Sequence, residues 1–263
     1  MATYRGAIVD VDGTLVRGDD RLPGADEGIR TLREHRIDLL LFSNNPTQPP
    51  KHYVDRLSAH DIPIDAEQVL TSALVTAEFL ETEYEERDLF VVGETYLRDL
   101  LRERGFTVRD DPDAGEVVVG SIDREFDYDE LTRALWALED GAAFVGTDPD
   151  VTIPASERLV PGSGAIINAI AGVAGREPDH ILGKPAPEAG ATALDHLGIR
   201  PEECLVVGDR LNTDIALGEH IGATTVLVRS GVATSDDLEN AEIQPDYVLD
   251  TVGQIGEVLA DRR

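Results

Sequence analysis

The stretch Gly6-Ala7-Ile8-Val9-Asp10-Val11-Asp12-Gly13-Thr14-Leu15 decides the fold. Its apolar run carries no polar alternation, so it reads as a strand covered on both faces. It ends in two carboxylates and an Asp-Gly turn. Strands of that kind belong to parallel sheets flanked by helices. The pattern recurs at Ile37-Asp38-Leu39-Leu40-Leu41-Phe42, Leu89-Phe90-Val91-Val92, Val117-Val118-Val119-Gly120 and Ala143-Phe144-Val145-Gly146. It returns at Cys204-Leu205-Val206-Val207-Gly208 and Thr224-Thr225-Val226-Leu227-Val228. A Pro-containing strand region at 62–71 completes the set. Between these runs, helical patterns are expected over 24–35, 50–61, 72–84, 94–104 and 212–220, with another around Trp136. Alternation of this sort predicts an α/β chain.

In parallel sheets, ligands gather beyond the C-terminal ends of the strands. Three strand ends carry an unusual polar load: Asp10 with Asp12, Ser43-Asn44-Asn45, and Asp209 with Asp214 close behind. Gly183-Lys184-Pro185 adds one of only two lysines, in a turn ahead of a helix. An Asp-Gly pair alone commonly means a turn, but matching groups at several strand ends point to chemistry. Converging carboxylates repel one another unless one is protonated or a cation sits among them, and such oxygen ligands suit Mg²⁺. Beside a metal, a lysine with hydroxyl and amide donors makes a cradle for a phosphoryl group, and a carboxylate can serve as covalent nucleophile.

These motifs resemble the four motifs of the haloacid dehalogenase-like (HAD) phosphatase superfamily. They are Asp10-Val11-Asp12-Gly13-Thr14-Leu15, Ser43-Asn44-Asn45, Gly183-Lys184-Pro185 and Gly208-Asp209-Arg210-Leu211-Asn212-Thr213-Asp214-Ile215. The long stretch between the second and third is similar to the cap of the NagD-like, subfamily IIA branch, which is of the C2 type. Gly120-Ser121-Ile122-Asp123-Arg124, Gly146-Thr147-Asp148-Pro149-Asp150 and Leu159-Val160-Pro161-Gly162-Ser163-Gly164 support that likeness. It implies a Rossmann-like core from 1–79 and 181–263, with a smaller α/β cap inserted at 80–180.

The resemblance further implies roles. Asp10 attacks phosphorus, and Asp12 protonates the leaving alcohol and then activates water. The Thr14 hydroxyl supports the carboxylates, Ser43 and the Asn44 backbone N–H bind phosphoryl oxygens, and Lys184 neutralises phosphate and Asp10. Asp10, Asp209 and the Asp12 carbonyl ligate Mg²⁺, while Asp214 holds metal-bound water or Lys184. Asn45 has two readings, phosphate positioning or a cap for the following helix. Asp214 can also be read as a carboxylate stabilised at a helix N-terminus, and Asn212 as an N-cap. The implied substrate is a small phosphate monoester, and the branch implies homodimerisation through the cap. The loop Asp148–Pro154 lacks the His and Trp of the vertebrate-type pyridoxal phosphatase loop, which disfavours that substrate. Arg124 and Asp148 are further candidates to face substrate.

The bulk properties exclude other classes. Lys plus Arg number 23 against 52 Asp plus Glu, a net charge of −29. Such a chain repels nucleic-acid backbone and anionic membranes alike. The single cysteine, Cys204, excludes an internal disulfide and reads as core packing. No apolar run approaches the roughly 18 residues of a span. Met1-Ala2-Thr3-Tyr4-Arg5 leads to Asp10 without a signal segment, so a cytoplasmic location is expected. Repulsion at this charge is tolerable when salt screens it, and a halophilic, high-salt cytoplasm is the expectation.

Gly162-Ser163-Gly164 lacks the Lys-Ser/Thr of a phosphate loop and reads as a turn with a helix cap. His180 and His196 are expected at the surface. Trp136, spaced helically with Leu131, Leu135 and Leu138, reads as part of a core stripe. A response-regulator receiver shares the Asp, Ser/Thr and Lys set but leaves no room for the insertion. Two alternatives stay open: a phosphotransferase using the same Asp nucleophile, and a non-catalytic phosphate-binding protein.

Overall fold

Strand β1 (Gly6–Asp10) is followed in chain order by β2 (Asp38–Ser43), β3 (Val69–Thr71), β4 (Leu89–Val92), β5 (Val108–Arg109) and β6 (Val117–Gly120). Then come β7 (Ala143–Gly146), β8 (His180–Ile181), β9 (Cys204–Gly208), β10 (Thr224–Val228) and β11 (Tyr247–Leu249). The computed structural model describes residues 4–154 and 158–261. Contacts divide the chain into one unit of Met1–Ser43, Pro50–Leu70 and Lys184–Arg263, and a second of Asn44–Pro49 and Thr71–Gly183.

The first unit is built on a sheet of order β11-β10-β9-β1-β2-β3. Strands β11 through β2 pair in parallel, with Ala7 opposite both Leu205 and Leu39. Central position explains the composition of β1: Ala7, Ile8 and Val9 are all buried. Ala7 and Val9 share a core cluster with Leu41, Tyr53, Leu205, Val207, Val226 and Ile255. From β1 the chain moves outward through β2 and β3, then returns beside β1 at β9 and winds the other way. The order therefore reverses between β1 and β9, and ligand crevices in such sheets open there. Helix Ala25–Glu34 covers the sheet through Ile29 and Leu32, as its spacing predicts.

The second unit carries the sheet β8-β7-β6-β4-β5, parallel throughout. Helices Ser72–Glu83, Thr95–Glu103, Tyr128–Glu139 and Ser163–Ala174 accompany it. Phe90, Val118, Phe144, Ile167 and Ile170 form its core. The division after Leu70 keeps helix Ser72–Glu83 in one piece, where a boundary between 79 and 80 would cut it.

Some details differ from the sequence reading. Trp136 is 50% exposed, and the buried face of its helix is Glu130, Ala134, Ala137 and Leu138. The small alanines let the helix approach the sheet, and the indole is left outside. His180 lies in strand β8, half-buried, with its ring 4.7 Å from that of Phe79; His196 is exposed as expected. Helix 50–61 ends early at Ser58. Residues 211–215 form a π-helical turn ahead of a short helix, Ala216–Ile221. No helix among the described residues is long and apolar enough to cross a membrane.

Candidate active site

The turn after β1 is closed by the backbone. Gly13 N–H donates to the Val16 carbonyl at 2.8 Å, and Leu15 N–H to that of Val11 at 2.9 Å. Gly13 adopts φ +100, and a Cβ there would lie 2.2 Å from Asp209 Oδ2. Glycine is required twice over, by conformation and by space. The turn leads into a small hairpin, Val16–Arg17 with Asp20–Arg21.

Around this turn the first unit gathers four charged side chains. Lys184 is buried, and its Nζ donates to Asp10 Oδ1 at 2.6 Å, Asp214 Oδ1 at 2.7 Å and the Phe42 carbonyl at 2.9 Å. Burial alone would lower the ammonium's pKa, but Asp10 and Asp214 outweigh it and hold the pKa above the usual lysine value. Burial pushes the Asp10 carboxyl well above the ordinary range despite Lys184, with Asp214 and Asp209 adding to the rise. Asp209 is pushed up to about 6 by burial and by Asp214.

The carboxylates differ in what they have left to offer. Both oxygens of Asp214 already accept a bond, Oδ2 from the Arg210 N–H at 3.1 Å and Oδ1 from Lys184 at 2.7 Å. Asp209 Oδ2 accepts the Val232 N–H at 2.7 Å. Asp10 Oδ2, Asp209 Oδ1 and the Thr14 hydroxyl are buried without a hydrogen-bond partner among the described residues. Thr14 thus makes no bond to the carboxylates it was expected to support. Ligand oxygens of Asp10, Asp209 and Asp214 lie within 4.8 Å of one another. Two orphaned, buried carboxylate oxygens in one cluster are costly unless a cation satisfies them. This donor set fits a divalent metal such as Mg²⁺.

Ser43, at the end of β2, is buried and accepts the Tyr53 hydroxyl at 3.0 Å. Burial raises the Tyr53 pKa, so the phenol stays a donor. Asn44 and Asn45 group with the second unit. The Asn44 carbonyl accepts from Ser72 Oγ at 2.8 Å. Asn45 Oδ1 accepts from both the N–H and the hydroxyl of Thr47, at 2.9 and 2.8 Å, which closes a turn. Asn212 is exposed and sits inside the π-helical turn, with Arg210 as the preceding cap.

Two contributors escaped the sequence reading. Arg56, on helix Pro50–Ser58, donates to Asp12 Oδ1 at 2.8 Å. Gly231 packs against Asp209, whose Oδ2 would be 1.8 Å from a Cβ at that position. Neither lies in a strand-end motif, and a Ser-Gly pair after β10 signals only a turn.

In the second unit, Asp148 is buried, with Oδ2 accepting from the Thr147 hydroxyl at 3.1 Å and Oδ1 from the Asp150 N–H at 3.2 Å. Burial and the nearby Asp150 push it up to about 7. Ser163 Oγ accepts the Ile122 N–H at 3.2 Å, so this serine ties two segments together at the start of its helix, which has Gly162 at the cap position. Arg124 pairs with Glu94.

The comparisons agree with this fold. The haloacid dehalogenase-like hydrolase family matches residues 7–107, and the related HAD-hydrolase-like family matches 181–255. An acid sugar phosphatase of Staphylococcus haemolyticus is 36% identical over 247 residues, 94% of this chain and 93% of that protein. The structure of a p-nitrophenyl phosphatase from Archaeoglobus fulgidus superposes with a TM-score of 0.91 at 33% identity, covering 97% of this chain and 99% of its own. NagD from Escherichia coli K-12 gives 0.89 at 31% identity, covering 96% and 98%. With its carboxylate cluster at the strand-order reversal and this likeness along nearly the whole chain, the protein belongs to the haloacid dehalogenase-like hydrolases, among the NagD-like phosphatases.

Proposed function

We propose that the protein hydrolyses a small organic phosphate monoester through a covalent phosphoryl group on Asp10, with Mg²⁺ as cofactor. One observation carries this reading: a buried lysine clamps the carboxylate at the end of β1, while the other oxygen of that carboxylate and one of Asp209 are left unpaired. A purely structural cluster would leave neither unsatisfied. The names of the relatives, acid sugar phosphatase and p-nitrophenyl phosphatase, support a phosphate ester as substrate.

In the first half-reaction an Asp10 carboxylate oxygen forms a bond to phosphorus as the ester P–O bond breaks. The leaving oxygen takes a proton from Asp12. In the second, Asp12 removes a proton from water, the water oxygen bonds to phosphorus, and the Asp10–phosphorus bond breaks. Inorganic phosphate leaves and both carboxyls return to their starting states. Acid and base are the same residue because each proton given is regained within the cycle. Lys184 stays protonated throughout, offsetting charge on Asp10 and on the phosphoryl oxygens, and Ser43 donates to those oxygens. Asp10, Asp209 and the Asp12 carbonyl would hold Mg²⁺, whose bound charge neutralises the phosphoryl oxygens. Asp214 keeps Lys184 in place, and the second unit, a C2-type cap in this reading, contributes substrate selectivity. A high-salt cytoplasm is the proposed setting, since it would screen the net charge of −29.

The test is phosphate release from a panel of sugar phosphates, nucleotides and p-nitrophenyl phosphate in molar KCl. We expect turnover with Mg²⁺, none with EDTA, and a loss on the order of 10³-fold or more in Asp10→Asn, which lacks the nucleophile. A folded chain inert toward every ester would favour the non-catalytic alternative. Transfer of phosphate to an added alcohol in preference to water would identify a phosphotransferase.

A further inference from the structure

Arg56 makes a bond pattern that a surface ion pair does not need. Its Nη2 donates to Asp12 Oδ1 at 2.8 Å, its Nε donates to the Gly18 carbonyl at 3.1 Å, and Nη2 reaches that same carbonyl. Gly18 lies at the tip of the hairpin that follows the Asp10–Leu15 turn. One planar guanidinium therefore ties the side chain of Asp12 to the hairpin tip, and the two bonds to Gly18 fix its orientation. On the other strand entrance, Arg17 donates to the carbonyls of Ser230 at 2.5 Å and Gly231 at 3.3 Å. The hairpin is pinned from both sides, so Arg56 is anchored on a fixed point.

Burial differs across the pair. The Arg56 side chain is 16% exposed and that of Asp12 is 47% exposed. Asp12 is the reachable partner, and an aspartate so exposed would otherwise sample several rotamers. Proton transfer requires the acid within about 2.6–3.2 Å of the leaving oxygen. Misplacement by about 1 Å can cost on the order of 100-fold in rate.

Resting on the phosphatase reading above, we infer that Arg56 is a positioning residue for Asp12: it holds Oδ1 and leaves Oδ2 to exchange the proton with the leaving oxygen. The bond to Asp12 is the contact that matters for chemistry, and the bonds to Gly18 keep it in register.

Two esters separate positioning from simple structural support. A p-nitrophenolate leaves without needing a proton, whereas the alkoxide from glycerol phosphate needs one. The quantity to measure is kcat/KM, which reports steps through formation of the phosphorylated Asp10. For Arg56→Ala we expect kcat/KM on glycerol phosphate to fall at least about tenfold further than on p-nitrophenyl phosphate. Arg56→Lys, which keeps a donor for Asp12, should recover part of that difference. The ratio of the two values is independent of the folded fraction, so partial unfolding cannot mimic the result. Equal losses on both esters, no loss on either, or no recovery in Arg56→Lys would overturn the inference. A folded wild-type chain inert toward both of these and toward every ester of the wider panel would overturn the phosphatase reading and this inference with it.

Discussion

Gly231 shows how little room the site leaves. A methyl at this position would stand 1.8 Å from Asp209 Oδ2 and 2.2 Å from its Cβ, so one of the two must move. The carboxylate is the softer partner, and its Oδ2 bond to the Val232 N–H would go with it. We expect Gly231→Ala to raise the Mg²⁺ concentration for half-maximal phosphate release by about 10–100-fold, the range seen when the support of a metal ligand is disturbed. An unchanged Mg²⁺ titration would show that Asp209 is not a ligand. Asp148 offers a second test, through pH. Its carboxyl titrates near 7 in the folded chain because it is buried beside Asp150, against an ordinary value of 3.8. The folded state therefore holds this proton more tightly than the unfolded state. Its contribution to stability is complete below about pH 4 and is lost as pH rises through 7, a change of roughly 4 kcal/mol. Urea unfolding of wild type and Asp148→Asn from pH 4 to 8 should show the two curves diverging, with the wild type losing stability relative to the variant as pH rises. Parallel curves would mean that Asp148 is solvated as a charge in the folded protein.

At the scale of elements, helix Tyr128–Glu139 is set by its cap. Asp127 accepts the Glu130 N–H at 2.8 Å, and Asp129 and Glu130 follow in the first turn. Asp127→Ala removes both the bond and a charge at the positive end of the dipole, and should cost about 1 kcal/mol in urea unfolding. A cost near zero would show that packing alone holds the helix. The same helix marks the limit of sequence reading. Spacing announces a helix, but it does not say which stripe meets the sheet, and here the small Ala134 and Ala137 won the inner face from Trp136. Strands were legible where their apolar runs are unbroken, as in β1, β2 and β9, because burial on both faces leaves no other composition. Tyr247–Leu249 and His180–Ile181 are too short for any period to emerge. Asp10 and Asp209 were legible for a related reason: a carboxylate at or directly after the end of a buried strand has few structural explanations, and Lys184 stood out as one of only two lysines, in a turn ahead of a helix. Arg56 was not, since its meaning arises only when a helix brings it to a residue 44 positions earlier.

Across the whole molecule the excess of carboxylates dominates. With a charge of −29, self-repulsion opposes folding and would also oppose the approach of the dianionic substrate proposed above. Both effects are screened at molar salt, where the Debye length is about 3 Å. We expect the unfolding midpoint to rise steeply between dilute buffer and molar KCl. KM should fall over the same range, measured only where circular dichroism shows the chain folded. A stability and a KM that are both indifferent to KCl would detach the acidity from any saline setting.

Cys204 has a use beyond packing. It is the chain's one thiol, and it lies fully buried in β9 beside strand β1, its pKa pushed up to about 12. In the folded protein no alkylating reagent can reach a thiolate there. Every modification event is consequently a record that the central sheet came apart. Pulses of a maleimide at chosen salt concentrations would count openings of this sheet alone, without any engineered label, while the second unit contributes no signal.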